Sequence, residues 1–496
     1  MNTLQQTLFD IKDDFEELIY LYNSSSLQLK LFLKEIKQQK DHIEEISFFR
    51  LLHQTEKLIK ENEQYIKTLQ NIIVSLTDTA NETELQKYIT DKYVFTNMYR
   101  IRLNTIAGLI TSTDWQSPSY NHSIYSLAGK QTGKIKGTFN DYKRDQHLDG
   151  KQYEVKFIRE FLKGVINNSY YAFLTHTGMS ALTTVLYYLN LYKGIKKYIL
   201  MGKNIYFENK EIIQKMFLNV DEFEECDTES IITLIQRHKP RVIILDSLSN
   251  SYNVVRTDIR KLLNYLNKNI KEDIYIVIDN TCLSITSQPL SMINSKKIHI
   301  ICIESLNKYH QFGMDRVTAG IIYTKCDIKN YELLYNARDH SGSNISDTSV
   351  YSLPIPNKKI LQKRLNRFER NIQHIMTAVI EHLNTFPSTI ISGISYAKKN
   401  SENDFLGSYF TFKFHDSYKK INLYKKMILL LIDEGKKNNV QIVAGTSFGL
   451  NTSRIYLTSL RSDYGDPFVR FSVGTETLWE VEKIIQVLIK VINRLE

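Results

Sequence analysis

Two runs rich in β-branched residues near the middle of the chain, Ile274–Asp279 (IYIVID) and Ile298–Ile303 (IHIICI), restrict the fold more than any other feature. Runs of this length and composition read as strands buried on both faces. The first ends in Asp279. The second delivers Ser305 and Lys308 into a loop that runs on to Gly320. A lysine at a strand end can lose the water that keeps its amine charged, which makes it a usable nucleophile. Taken alone, a lysine after a strand is usually just solvated.

The surrounding pattern adds weight to these strand ends. From Tyr170 to Tyr323, strand-like and helix-like segments alternate, which predicts a mainly parallel sheet with helices on both faces. Ligands of such sheets collect at the C-terminal strand ends, where Asp279 and Lys308 fall. Thr175–Leu189 (THTGMSALTTVLYYL) is a glycine turn feeding an apolar helical pattern, and a helix N-terminus of this kind can hold a phosphate. An arginine-rich segment, PNKKILQKRLNRFERNIQHIMTAVIEHL, is apolar at Ile360, Leu365, Phe368, Ile372 and Ile375, the spacing of a long helix. After it, Gly407–Phe414 (GSYFTFKF) alternates as a half-buried strand of a smaller α/β domain.

The N-terminal quarter is different. Its first glycine is Gly108 and its first proline Pro118, so nothing breaks helices before them. Leu58, Ile59, Tyr65, Ile66, Leu69, Ile72, Ile73 and Leu76 mark an amphipathic helix. Phe15, Leu18, Ile19 and Tyr22 open a similar stripe, with acids before it that suit a helix start. Two or three long hairpin-like helices are expected. They serve either as an added structural layer or dimer extension, or as a docking module for a partner or carrier protein. The domain division is then 1–125 (helical), 126–385 (large α/β) and 386–496 (small α/β).

Composition narrows the class. With 496 residues, 42% hydrophobic and 24% charged, the chain reads as a soluble globular protein. The net charge of +10 is spread without a dense Lys/Arg block, which argues against nucleic acid. The four cysteines have no ligand spacing, so neither a disulfide framework nor a metal site is expected, and a reducing cytoplasm fits. The N-terminus lacks a signal-peptide core and no apolar stretch is long enough to span a bilayer.

Short segments, read in order, carry a more specific message: FNDYKRDQ (Phe139–Gln146), Gly178-Met179, KNIYFENK (Lys203–Lys210), VIILDSLSNSYN (Val242–Asn253), the Asp279 and Lys308 strand ends, and GTSFG (Gly445–Gly449) followed by FVRFSVGTE (Phe468–Glu476). Over roughly residues 135–496 the chain resembles the Cys/Met-metabolism family of pyridoxal-phosphate enzymes (cystathionine γ-synthase, cystathionine lyases, methionine γ-lyase). That resemblance implies fold type I with a smaller C-terminal α/β domain, and pyridoxal 5'-phosphate as cofactor.

By the same resemblance Lys308 holds the cofactor aldehyde as a Schiff base and Asp279 keeps its ring nitrogen protonated. Tyr206 stacks on the ring and can move a proton, while Asn250 meets the ring hydroxyl. Gly178, Met179 and Ser305 receive the phosphate, helped by Tyr142 and Arg144 from a neighbouring subunit. Arg470 forks onto the substrate α-carboxylate, with Ser447 close by. The chain departs from the family pattern at several points. Asn307 replaces the threonine before the lysine, Asp246 replaces a glutamate, and Phe312-Gly313-Met314 replaces Gly-His-Ser. Thr446 stands where γ-acting members often carry glutamate.

The implied activity is elimination or replacement at Cβ or Cγ of a sulfur-containing or O-activated homoserine-type amino acid, in a homodimer or homotetramer that shares its sites. An aminotransferase using the same lysine and aspartate is one alternative. A catalytically silent scaffold that binds a partner through its N-terminal helices is the other.

Overall fold

The computed structural model describes residues 2–38, 40, 45–77, 80–112, 149–163, 169–293, 295–402, 404–458 and 467–496. Three long helices come first: α1 (Thr3–Gln38), α2 (Glu45–Ser75) and α3 (Glu82–Ile110). Helix α3 starts with a capping box in which Asn81 and Glu84 satisfy each other's backbone N–H groups. Helix α1 begins earlier than its acids suggest. Asp10, Asp13 and Asp14 lie well inside it, where they pair with cations of another helix instead of marking a start.

The large sheet follows. Its elements are α4 (Asp149–Phe161), β1 (Tyr170–Thr175), α5 (Gly178–Tyr187), β2 (Lys197–Gly202), α6 (Phe207–Met216), β3 (Leu218–Phe223) and α7 (Thr228–His238). The chain continues through β4 (Val242–Asp246), α8 (Ile259–Asn269), β5 (Ile274–Asp279), β6 (Ile298–Ser305) and β7 (Gly320–Lys325). The seven strands are ordered β1-β7-β6-β5-β4-β2-β3, parallel except for β7, which runs against β1 and β6. The isoleucines of β5 and β6 are almost wholly buried because helices cover both faces, as the apolar runs require.

Helices α9 (Ile328–His340), α10 (Asp347–Ser352) and α11 (Lys358–Thr385) lead out of this sheet. The second sheet, of five strands, comprises β8 (Ile391–Ser395), β9 (Tyr409–Phe414), β10 (Ile442–Ala444), β11 (Ser453–Thr458) and β12 (Phe468–Ser472), with helices α12 (Ile421–Lys437) and α13 (Leu478–Leu495). Its order is β10-β11-β12-β9-β8. Strand β9 is buried along nearly its whole length, not half-buried as its alternation suggested. Phe410 and Phe412 enter the core, while Tyr409 bonds back to the large domain through Ser249 O and Cys282 Sγ, so both faces are covered.

The stripe of α1 is consumed within the molecule. Leu8, Ile11, Phe15 and Leu18 share one core with Leu365 and Phe368 of α11 and Ile484 and Leu488 of α13. Asp10 accepts the Leu478 N–H at the start of α13, and Lys92 of α3 is buried against Asp14 and the Thr475 carbonyl. The helices are therefore a layer packed on the body. Among the described residues, no helix is long and apolar enough to cross a membrane and no group of His, Cys, Asp and Glu could hold a metal ion.

Candidate active site

Strand order explains why residues far apart in sequence meet. β1, β6, β5, β4 and β2 run parallel, so the residues after each of them emerge along one edge of the sheet. These are Gly178 and Met179, then Ser305 and Lys308, Asp279, Asp246, and Tyr206. The small sheet lies over that edge. Its register places Tyr456, Arg470 and Thr411 side by side on β11, β12 and β9, on the face opposite Ile455 and Phe471.

Lys308 follows β6 and precedes a single 3-10 turn. Its Nζ donates to Ser447 Oγ at 2.9 Å and sits 5.1 Å from the centre of the Phe448 ring. Loss of water lowers its pKa to about 8, and the Arg470 guanidinium adds to the effect. Below pH 8 the folded and unfolded chains both hold this proton, and the folded state carries the full penalty of a dehydrated charge. Between pH 8 and the ordinary 10.5 the unfolded chain holds more protons, so stability rises with pH. Lys308→Met should therefore raise the melting temperature of the cofactor-free protein at pH 7 and flatten its rise between pH 8 and 10.5. The penalty removed is on the order of 3 kcal/mol. A melting temperature unchanged at pH 7 would count against a dehydrated amine.

Asp279 ends β5. Its carboxylate accepts the Thr281 N–H at 3.0 Å and the Asn209 side-chain amide at 3.4 Å. Burial raises its pKa, and the Thr281 hydrogen bonds oppose that rise. Asp246 lies level with it on β4 and accepts the Tyr206 N–H at 3.0 Å. Burial first, then the neighbouring Asp279, pushes the Asp246 carboxyl well up. Tyr206 sits just before α6, and burial raises its phenol, which stays protonated at neutral pH.

Gly178 opens α5. Thr177 caps the Ser180 N–H at 2.9 Å, while the N–H groups of Gly178 and Met179 meet no partner among the described residues. Gly178 packs directly on Ser305: a Cβ there would lie 2.8 Å from the serine Cβ. Asn307 turns away from this helix start, and its amide oxygen accepts the Ala319 N–H at 2.8 Å. Asn307 thus braces the approach to β7.

Arg470 is buried on β12. It donates to Asn250 Oδ1 at 2.7 Å and to the Thr446 carbonyl, and stands over the rings of Tyr409 and Phe448. Its buried Nε meets no partner among the described residues. The amide oxygen of Asn250 is thus given to Arg470, which leaves the NH₂ of Asn250 as a donor. Tyr142 and Arg144 lie outside the described residues.

Sequence reasoning passed over three contributors. Phe448 forms the wall shared by Lys308 and Arg470, Thr281 links Asp279 to Ser305 through a 2.9 Å bond from the Ser305 N–H, and Asn209 supports Asp279. Thr281 and Phe448 adjoin quoted motif residues. Asn209 lies within the quoted KNIYFENK segment, three residues after Tyr206.

No protein-family model matches the chain. The bifunctional enzyme flvA of Aspergillus flavus is 23% identical over 330 residues, which are 65% of this chain and 39% of that protein. The chain therefore spans well under half the length of this curated relative. Cystathionine γ-synthase from Xanthomonas oryzae pv. oryzae, solved with aminoacrylate and cysteine, superposes with a TM-score of 0.56 at 16% identity, covering 73% of this chain and 90% of that one. Cystathionine γ-lyase from Lactobacillus plantarum, solved with L-serine, gives 0.56 at 17% identity, covering 79% and 99%. At these identities the likeness is one of fold, and that fold is type I of the pyridoxal-phosphate enzymes.

Proposed function

We propose that the chain is a pyridoxal-phosphate-dependent enzyme of the lyase or transferase kind. It carries out β- or γ-elimination, or γ-replacement, on a sulfur-containing or O-activated homoserine-type amino acid. The observation that carries this reading is that a dehydrated lysine amine and a buried carboxylate lie at one edge of the large sheet, where the small sheet brings a buried arginine fork over them. The residues present suit the cofactor. The N–H groups of Gly178 and Met179, without a partner among the described residues, and Ser305 beside them would hold its phosphate. Asp279 would face its ring nitrogen, Tyr206 its ring and Asn250 its hydroxyl, while Lys308 would hold its aldehyde carbon. When bound, the cofactor supplies a sink for the electron pair left at the substrate Cα.

The rest falls to the chain. Lys308, with its pKa near 8, has a usable fraction of neutral amine at physiological pH and would take the Cα proton. Ser447 holds that amine in place. Arg470, fixed by Asn250 and the Thr446 carbonyl, would receive the substrate α-carboxylate. A charge-assisted hydrogen bond contributes about 1.5–3 kcal/mol. Arg470→Ala should therefore lower kcat/KM roughly tenfold to more than a hundredfold. Equal use of amino acids and their decarboxylated amines by the wild type would contradict this role.

The activity itself is tested by incubation with β- and γ-substituted amino acids and mass spectrometry of the products. Loss of a leaving group supports the proposal; keto-acid exchange without it would identify an aminotransferase. The proposed setting is a reducing cytoplasm, in keeping with four free cysteines. We assign Tyr142 and Arg144 to the neighbouring subunit's cofactor phosphate, in a homo-oligomer with shared sites. Co-expressed Arg144→Ala and Lys308→Ala chains should then recover up to about a quarter of wild-type activity by random pairing in dimers. Mixed dimers without activity would place Arg144 elsewhere.

A further inference from the structure

The turn that follows Lys308 is braced from within by the buried Gln311, which bonds Leu306, Arg316 and Val317, and it is held from outside as well. Phe312, Gly313 and Asp315 all have left-handed backbone, with φ of 48°, 76° and 47°. Such a turn persists only where its surroundings enforce it. Two contacts from the small domain do so. Arg454 of β11 pairs with Asp315 at 3.4 Å, and the Asn451 amide presses so closely on Gly313 that any Cβ there would overlap it. Asn451 also ends the segment that begins with Ser447 and Phe448, the two residues touching the Lys308 amine.

Asn451 is in turn held by Arg364 of α11, whose Nη2 donates to Asn451 Oδ1 at 2.8 Å. The other arm of the same fork, Nη1, donates to Glu17 Oε1 of α1 at 2.8 Å. Both Arg364 and Asn451 are buried, so neither contact is lightly exchanged for water. One guanidinium thus joins the N-terminal helical layer to the residue that packs on the lysine turn. Its planar geometry fixes both partners at once.

We propose that Glu17 is a positioning residue for Lys308, acting through Arg364 and Asn451, and that the N-terminal helices serve the active site by bracing the turn after the lysine. This rests on Lys308 being the reactive amine. That reading fails separately, if Lys308→Ala retains turnover.

The test reads the lysine without cofactor or substrate. In the full-length cofactor-free chain, the rate of Lys308 acylation by acetic anhydride is measured against pH and located by peptide mass spectrometry. The amine is faced by Arg470 on β12, Cys282 beyond β5, Asp315 in the turn and Arg454 on β11. The wild-type midpoint is expected at about 8. In Glu17→Gln the charged anchor of Arg364 is lost, the turn loosens and water reaches the amine. The midpoint should rise by roughly half a unit or more.

Arg364→Lys keeps a charge opposite Glu17 but removes the second arm, and should shift the midpoint the same way. It also serves if Glu17→Gln does not fold. Lys363→Met breaks pairs with Asp13 and Glu16 at the same helix interface but has no link to Asn451, and should leave the midpoint where it is. Wild-type midpoints in folded Glu17→Gln or Arg364→Lys would overturn the proposal. So would an equal shift in Lys363→Met, which would reduce the effect to general loosening of the layer.

Discussion

Lys308→Ala should abolish the borohydride-trappable adduct with pyridoxal phosphate and lower turnover roughly a thousandfold or more. The expectation follows from geometry. The Lys308 amine bonds to Ser447, stands over Phe448 and is dehydrated enough to be partly neutral near pH 8. On the proposed reading, alanine would remove both the anchor for the aldehyde and the base, leaving no partial function at that position. Peptide mapping after reduction should find the label on the peptide containing Lys308 in the wild type, and nowhere in the variant. A label on another lysine would sink the assignment. Because Ser447 and Phe448 remain, small primary amines such as methylamine should restore part of the Cα–H exchange in Lys308→Ala. Rescue of this kind separates a lost base from a collapsed site.

Asp279→Ala should leave cofactor able to bind while slowing Cα–H exchange by orders of magnitude. In the chain alone, burial pushes the Asp279 carboxyl upward, and the Thr281 and Asn209 donors keep its two oxygens in place as acceptors. A cationic ring nitrogen placed against it supplies the opposite charge that favours the ionised carboxylate. Without that carboxylate the nitrogen loses its reason to stay protonated, and the sink for electrons weakens. The groups proposed to hold the phosphate lie at the start of α5, a separate element, so binding should survive. Exchange in deuterated solvent, followed by NMR, reads the effect directly. Exchange at the wild-type rate would remove Asp279 from this role. Asp279→Asn, which preserves shape, should behave like the alanine variant, because an amide cannot supply the negative charge.

The strands carrying these residues were legible in advance. IYIVID and IHIICI are too short and too β-branched for core helices, and both became central strands buried on both faces. The long helix through Phe368 and the first two N-terminal helices were legible from apolar residues spaced three and four apart, while the sequence does not decide whether α3 joins them as a third. Other readings failed where local pattern was a poor guide. The acids at Asp10, Asp13 and Asp14 look like a helix start, yet they answer Lys363, Arg367 and Arg370 from some 350 residues away. Strand β9 alternates as a surface strand does, but its polar face is covered by the large domain through Tyr409.

What can be read from the chain is what neighbouring residues decide among themselves: periodicity, capping, and which strand ends carry Asp279, Ser305 and Lys308. Such preferences act over three or four residues, so they survive without knowledge of the rest. The site, by contrast, is assembled by contacts that no short window contains. Arg470 meets Asn250 across 220 positions, Lys308 meets Ser447 across 139, and Arg364 ties Asn451 to a helix at the other end of the chain. These pairings exist only because strand order brings five strand ends to one edge and the small sheet is packed over it. Their strength comes from the burial that packing creates. In water the same side chains would be ordinary solvated ions, and it is their removal from water that lowers the Lys308 pKa and raises that of Asp279.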